Sequence, residues 1–340
     1  MLLAGVCLGR AKESFLLPLL TVLTLSFLLF PSRACAQEKL RIAYAGGASV
    51  VPLWIVDEKG LLKKQNIQAE MIQINASPAA LQAMLAGEVD VNVASVTTLV
   101  SARLAGADVV MLMAVVPTFP NYLMAGKTVT SVQDLKGKTG GINRFGAVTD
   151  LGMRLVLRKF GLDPEKDVRL IPVGGTSQAI AALAKGVIQF SLSNEPFVRE
   201  AEKLGFKPIV DVGSLRIPFH WNGVLTREAT VKSKRGLLAR FVRAMTEAIY
   251  IYKTEKEWTK TVIGKYLRMN DPESLERTYS SFNGILPDAP FPTVAGVKTL
   301  LDDLAGKDPK AAQANPRDYV DASFVDELQR SGFIRQLYKR

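Results

Sequence analysis

Two stretches of this chain, "SPAALQAMLAGEVDVNVAS" at 77–95 and "TSQAIAALAKGVIQFSLSN" at 176–194, align without a gap at an offset of 99 residues. In each, a polar start leads into a short Ala/Leu-rich helix, a glycine and an alternating apolar strand. Gly87 falls opposite Gly186, Val89 opposite Ile188, Val91 opposite Phe190, and Ser95 opposite Asn194. The agreement continues from "ARLAGADVVMLMA" to "EKLGFKPIVDVG", with Gly106 opposite Gly205, and runs more loosely upstream, where Gly60 and Gly161 hold equivalent places. Each copy reads as strand, helix, strand, helix, strand, helix, strand. That alternation predicts a mostly parallel sheet flanked by helices. A long period present twice describes two α/β lobes rather than a solenoid, and 340 residues suffice for both cores.

The connections follow from the apolar segments between and after the copies. "FPNYLMAGKTVTSVQDLKGKTGGI" carries a strand into the second lobe near 121–127, and "SLRIPFHWNGVLTREAT" returns near 217–226. The expected division is a discontinuous first lobe of 37–122 and 222–340 and a second lobe of 123–221. Residues 233–268 read as long helices with Leu237, Leu238, Phe241, Val242, Met245 and Ile249 on one face, and the remaining helices are assigned to the first lobe.

Residues 1–36 stand apart. Arg10 and Lys12 precede an apolar run from Phe15 to Phe30, and Ala34-Cys35-Ala36 supplies a small-x-small site, the order of a secretory signal cleaved after Ala36. An uncleaved anchor is opposed by Pro18 and by that site, and a lipid attachment at Cys35 by Arg33. Both cysteines, Cys7 and Cys35, fall in this segment, so the mature chain is expected to hold no disulfide, cysteine nucleophile or thiolate metal site. With His220 as the one histidine, His-pair metal sites and serine triads are nearly excluded, while a catalyst built from carboxylates stays open. The formal charge of +11 is spread without a Lys/Arg block, which suits anionic small molecules better than nucleic acid.

In open α/β sheets ligands lie beyond the carboxyl ends of the strands, against helix N-termini whose free N–H groups and positive dipole hold anions. "GGINRFGAVTD" (140–150) is the second-lobe loop of this kind. Its glycines are expected to let a ligand approach the backbone, with Thr149 or Asp150 capping the next helix. Arg144 either grips an oxyanion from the cleft wall or is solvated, or tied to Asp150; Phe145 either floors the cleft or packs in the core. The first-lobe counterpart is "AYAGGASVVPLW", where Gly46, Gly47, Ala48 and Ser49 offer N–H groups and a hydroxyl. Ser95, Thr97 and Thr98 bring more hydroxyls to a helix start than capping needs. Their repeat partners are Asn194 and Glu195 before Pro196, where Glu195 either pairs an amine or serves the helix start. Ser77 and Thr176-Ser177 read as caps. His220 and Trp221 on the return crossing either line the cleft or pack in the hinge.

The segments "SVQDLKGKTGGINRFGAVTDLGMRLVLRKFGLDPEKDVRLIPVGG", "RFVRAMTEAIYIYKTEKEWTKTVIGKYLRMNDPESLERTY" and "DYVDASFVDELQRSGF" resemble the periplasmic substrate-binding proteins of nitrate-, sulfonate- and taurine-type ABC importers, the SsuA/THI5-like or NMT1-like family. The resemblance covers residues 39–335. It implies a type II periplasmic-binding-protein clamshell that closes on a small anionic or zwitterionic solute and delivers it to a membrane permease. It also implies a periplasmic monomer without cofactor, metal or catalytic activity. Alternatives are a binding protein for a pyrimidine thiamine precursor or another heterocycle, and a periplasmic sensor module. A pyrimidine-synthesis enzyme is opposed by the missing cysteines and the single histidine.

Overall fold

The structure, a computed structural model, describes residues 37–126 and 128–339. The predicted export signal and its cleavage position lie outside them.

Ten strands form two five-stranded sheets. In the first, β1 (Glu38–Tyr44) lies between β2 (Ile67–Gln73) and β3 (Val91–Ala94), parallel to both. The order is completed by β10 (Asn222–Arg227), antiparallel to β3 and to β4 (Val109–Val116) on its other side. The second sheet repeats this plan. β6 (Thr139–Ile142) lies parallel between β7 (Arg169–Pro172) and β8 (Phe190–Ser193), and β5 (Tyr122–Ala125) runs antiparallel between β8 and β9 (Lys207–Asp211). Each sheet thus has four strands in one direction and one, next to its edge, reversed. The reversed strand is in each case the first one laid down after the chain crosses from the other sheet.

The sequence repeat is a structural repeat. Helices Ser77–Leu85 and Thr176–Ala184, and strands β3 and β8, keep the offset of 99 residues. Gly87 and Gly186 close those helices at φ 77° and 70°, in the left-handed region that favours glycine. The crossings, 117–121 and 212–221, pair with one another. Phe219 and Trp221 donate their N–H groups to the carbonyls of Pro117 and Val116 at 3.2 and 2.9 Å, and Val212 donates to Asn121 at 2.9 Å. The rings of Phe119 and Phe219 stack at 4.2 Å between centroids, and Trp221 meets Phe119 edge-on at 6.2 Å.

One apolar core fills the space between one face of the first sheet and the long helix Glu228–Thr254, with all six residues expected on its inner face buried. That helix begins at Glu228, before the expected 233, and ends at Thr254, where a new helix, Lys256–Leu267, starts. A second core covers the other face of the first sheet and runs through Phe119 and Phe219 to Leu123, Ile142, Leu151 and Phe190 of the second. The two sheets therefore share apolar packing at the crossings.

One expectation fails here. Gly140 and Gly141 lie inside β6 and are buried against β8, not in the loop beyond it. A Cβ on Gly140 would meet the buried Phe190 ring at 2.4 Å, and one on Gly141 would meet Ile188 at 2.4 Å. These glycines let the large side chains of Phe190 in β8 and of Ile188 just before it cross the face of β6; they do not admit a ligand. Gly140→Ala is accordingly expected to destabilise the protein by about 1–3 kcal/mol through overpacking. An unchanged urea midpoint would contradict that packing.

Candidate functional site

The carboxyl ends of β2 and β3 and of β6 and β7 open on one cleft of about 840 Å³. It is lined by Ser77, Pro78, Leu81, Ser95, Thr97, Thr98 and Ser101 from the side of the first sheet and by Asn143, Arg144, Gly146, Ala147, Val148, Thr149 and Gly174 from the second. Trp221 of the return crossing forms part of the wall. A smaller chamber of about 210 Å³ adjoins it, sharing Ser77, Ser95, Val148 and Trp221 as lining and adding Gly46, Ser49, Asn92 and Asn222.

Three helices start at the cleft: Ser77–Leu85, Val96–Leu104 and Val148–Lys159. None receives a side-chain cap. Their N-cap residues are Ala76, Ser95 and Ala147, whereas Pro272–Asn283 and Val294–Leu304 elsewhere are capped by the side chains of Asp271 and Thr293. Uncapped N-termini leave N–H groups and positive dipole ends facing the cavity. Ser77, expected as a cap, is instead the first helical residue and lines both cavities. Thr176 likewise follows its N-cap, Gly175. Ser95 and Thr97 hydrogen-bond to each other, and Val96 N–H is taken by the carbonyl of His220 at 2.9 Å, tying this helix start to the return crossing.

The loop of the second sheet is held from within. Thr149 Oγ1 accepts from Asn143 N–H at 3.2 Å, and Asp150 Oδ2 accepts from Gly146 N–H at 2.9 Å. Both therefore brace the loop rather than cap the helix. The other oxygen of buried Asp150 accepts from Arg154 Nε at 2.6 Å, and Arg154 also pairs with Glu165. Asp150 is thus tied to Arg154, not to Arg144. Arg144 stays exposed on the cleft wall and is the one charged side chain in the lining.

Of the residues expected at the site, the cleft and its chamber gather Ser49, Ser95, Thr97, Thr98, Arg144, Thr149 and Trp221. Gly47 lines neither; at φ 126° it turns the chain into the short 3₁₀ segment Ala48–Val50, and Gly46 stands at the chamber in its place. Phe145 lines neither cavity and is 56% exposed, so it is neither a cleft floor nor a core aromatic. Asn194 also lies outside them, its carbonyl accepting from Val198 N–H.

Glu195 belongs elsewhere. It lines a cavity of about 300 Å³ that shares no residue with the cleft, and its Oε1 accepts from Arg277 Nε at 2.8 Å. Burial raises its carboxyl above the usual range, against the pull of Arg277. Arg277 also binds Glu202, and Arg199 pairs with Asp271 and Glu273, so these ions join helix Phe197–Lys203 to Pro272–Asn283.

Asn92 and Asn222 were not anticipated. In "VDVNVAS" Asn92 shares the polar phase of the alternating strand with Asp90, so its burial, 2% exposed, was not legible in the sequence. Asn222 is set by tertiary contact, its Nδ2 donating to Ser49 carbonyl at 3.0 Å.

His220 does not line the cleft. It is fully buried, with Nε2 within hydrogen-bond reach of the N–H and carbonyl of Thr293 at 3.1 and 3.0 Å, so one bond forms in either tautomer, while Nδ1 has no partner. Burial lowers its pKa to about 4, against the hydrogen bond to Thr293. The folded protein therefore binds fewer protons here than the unfolded chain, and stability present above pH 6.5 is lost as pH falls towards 4. The stability difference between the wild type and His220→Gln is expected to shrink by about 3 kcal/mol between pH 7 and pH 4. A difference constant with pH in urea titrations would show that the ring does not sit buried and neutral.

Comparison with known proteins agrees with this architecture. Residues 48–255 match the family described as NMT1/THI5 like. The YtlA protein of Bacillus subtilis is 24% identical over 232 residues, 65% of this chain and 70% of that protein. Among solved structures, the periplasmic aliphatic sulphonate binding protein SsuA of Escherichia coli superposes with a TM-score of 0.70 at 18% identity, over 84% of this chain and 92% of that one. The periplasmic nitrate-binding protein NrtA of Synechocystis superposes with a TM-score of 0.68 at 14% identity, over 86% and 89%. The chain thus has the two-lobed periplasmic-binding-protein fold of type II.

Proposed function

This chain belongs to the NMT1/THI5-like family, and on that premise we propose that it is an extracytoplasmic solute-binding protein of an ABC importer. The observation that carries the reading is the make-up of the cleft. Two sheets contribute helix starts, hydroxyls, a tryptophan and one arginine to a single cavity, and its lining includes no Cys, His, Asp, Glu or Lys. Such a lining holds a small molecule by hydrogen bonds and charge, and it offers its hydroxyls no carboxylate, imidazole or amine as a base.

The two lobes, 37–122 with 222–340 and 123–221, would close about the paired crossings, as in hinge-closing binding proteins. The solute is a small anionic or zwitterionic organic molecule. Arg144, the uncapped helix starts and Ser95, Thr97, Thr98 and Thr149 are its ligands, Ser49 reaches it from the chamber, and Trp221 packs against its apolar part. The known ligands of the two solved structures, an aliphatic sulphonate and nitrate by their names, support an oxyanion head. The chain acts as an exported monomer, cleaved after Ala36, and passes its solute to a membrane permease.

A thermal-shift screen of the protein against alkanesulfonates, taurine, nitrate and small carboxylates tests this reading. Ligand at about 100 times its dissociation constant adds about 2.7 kcal/mol of stability. Arg144→Ala is expected to weaken the oxyanion found in that screen by about 1.5–3 kcal/mol by calorimetry, and equal affinity would remove Arg144 from the site. Saturating ligand is expected to reduce the radius of gyration in solution scattering. A profile that does not change would count against lobe closure.

A further inference from the structure

Two helices that belong to different sheets meet through charge rather than through apolar packing. Phe197–Lys203 packs on the second sheet through Val198 and Ala201, and Pro272–Asn283 joins the core of the first through Tyr279 and Phe282. Arg277 of the latter donates from Nε to Glu195 at 2.8 Å and from both terminal nitrogens to Glu202. Arg199 of the former pairs with Asp271 and Glu273. Beside these pairs lies the cavity of about 300 Å³, lined by Tyr122, Glu195 and Asp211 from the second sheet and by Arg277, Ser281 and Ile285 from the region of the other helix. A seam that holds such a cavity is not a closed apolar core, so its two sides can part once the ion pairs give way.

The strand order shows which way this seam acts. In the second sheet Glu195 follows β8, which lies between β6 at the cleft and β5 at the crossing. In the first sheet the helix Pro272–Asn283 packs against Ala48–Val50, just after β1, and β3 separates β1 from β10 and its crossing. The ion pairs therefore stand on the cleft side of the crossings. Cleft walls that swing apart about the crossings must stretch them.

We propose that Arg277, with Glu195 and Glu202, forms a tie that limits how far the two walls of the cleft open before solute arrives. The three are positioning residues. They line neither the cleft nor its chamber, and they act on affinity through the fraction of molecules already in a binding-competent arrangement. Glu195 anchors the tie, because it is 3% exposed and a carboxylate so buried depends on its cation. The side chains of Glu202 and Arg277 are 30% and 28% exposed, which leaves the tie open to screening by salt.

The inference rests on the solute-capture reading for its effect on affinity, but its first test needs no solute. In solution scattering of the ligand-free protein, Arg277→Met is expected to show a larger radius of gyration than the wild type at about 20 mM salt. Raising the salt to about 500 mM is expected to enlarge the wild type towards the variant and to leave the variant as it was. Arg277→Met strands Glu195 without its cation, so the double variant Glu195→Gln with Arg277→Met is measured beside it. The double variant is expected to melt cooperatively and to open as far. In calorimetry with ethanesulfonate and with nitrate as probes, both variants are expected to bind about threefold or more weakly than the wild type. A radius of gyration equal to or below that of the wild type in the folded double variant overturns the tie. Unchanged affinity in a more open variant overturns its role in capture. If the wild type binds a probe while the scattering does not differ, solute capture stands without the tie; if neither probe binds while the variants still open, the tie stands and capture of these anions fails.

Discussion

The stacked rings of Phe119 and Phe219 hold together the two places where the chain passes between sheets. Each ring lies just before the reversed strand that its crossing delivers, so the contact fixes where β5 and β10 enter sheets that are otherwise parallel. Backbone bonds from Phe219 and Trp221 to the first crossing prevent independent movement of the two segments. The same segment carries two other duties. The carbonyl of His220 satisfies the first N–H of the helix at the cleft, and Trp221 forms the wall. Crossing and cleft wall are therefore neighbouring residues of one strand entrance.

The chemistry of the cleft is that of helix starts left open. A free N–H at a helix terminus is ordinarily satisfied by a neighbouring side chain or by water. Around this cavity the available hydroxyls and carboxylates are committed differently. Ser95 and Thr97 bond to each other, while Thr149 and Asp150 brace the loop that carries Arg144. The bracing matters for Arg144 itself. With Asp150 consumed by Arg154, the carboxylate of the loop is not paired with its guanidinium. The ion pairs of Glu195 and Glu202 with Arg277 lie outside the cleft and join parts of the protein that flank the two sheets.

Much of this was legible along the chain because repetition and periodicity are local properties. The offset of 99 residues, the strand and helix alternation, the approximate crossings and the placement of Ser95, Thr97, Thr98, Arg144 and Thr149 at strand-to-helix connections follow from spacing alone. The errors share a cause. Gly140 and Gly141 look like loop glycines, and only the approach of Phe190 and Ile188 explains them as strand residues. Ser77 looks like a cap because serine before an apolar helix usually is one, yet the helix starts one residue earlier. Glu195 occupies the repeat position after Asn194, but a helix that has no counterpart in the repeat, Pro272–Asn283, brings Arg277 to it.

The sequence by itself determined two similar α/β lobes, the alternation of their strands and helices along the chain and the class of side chain at the strand ends, since these depend on the alternation of apolar residues over short windows. Tertiary structure alone decided which of those side chains share a cavity, which are consumed by neighbours, and which buried amides remain unpaired. The physical reason is that hydrogen-bond satisfaction is a property of atoms in space. Asn92 and Asn222 stand 130 positions apart in the chain and meet one chamber only because β10 returns from the other lobe to lie beside β3.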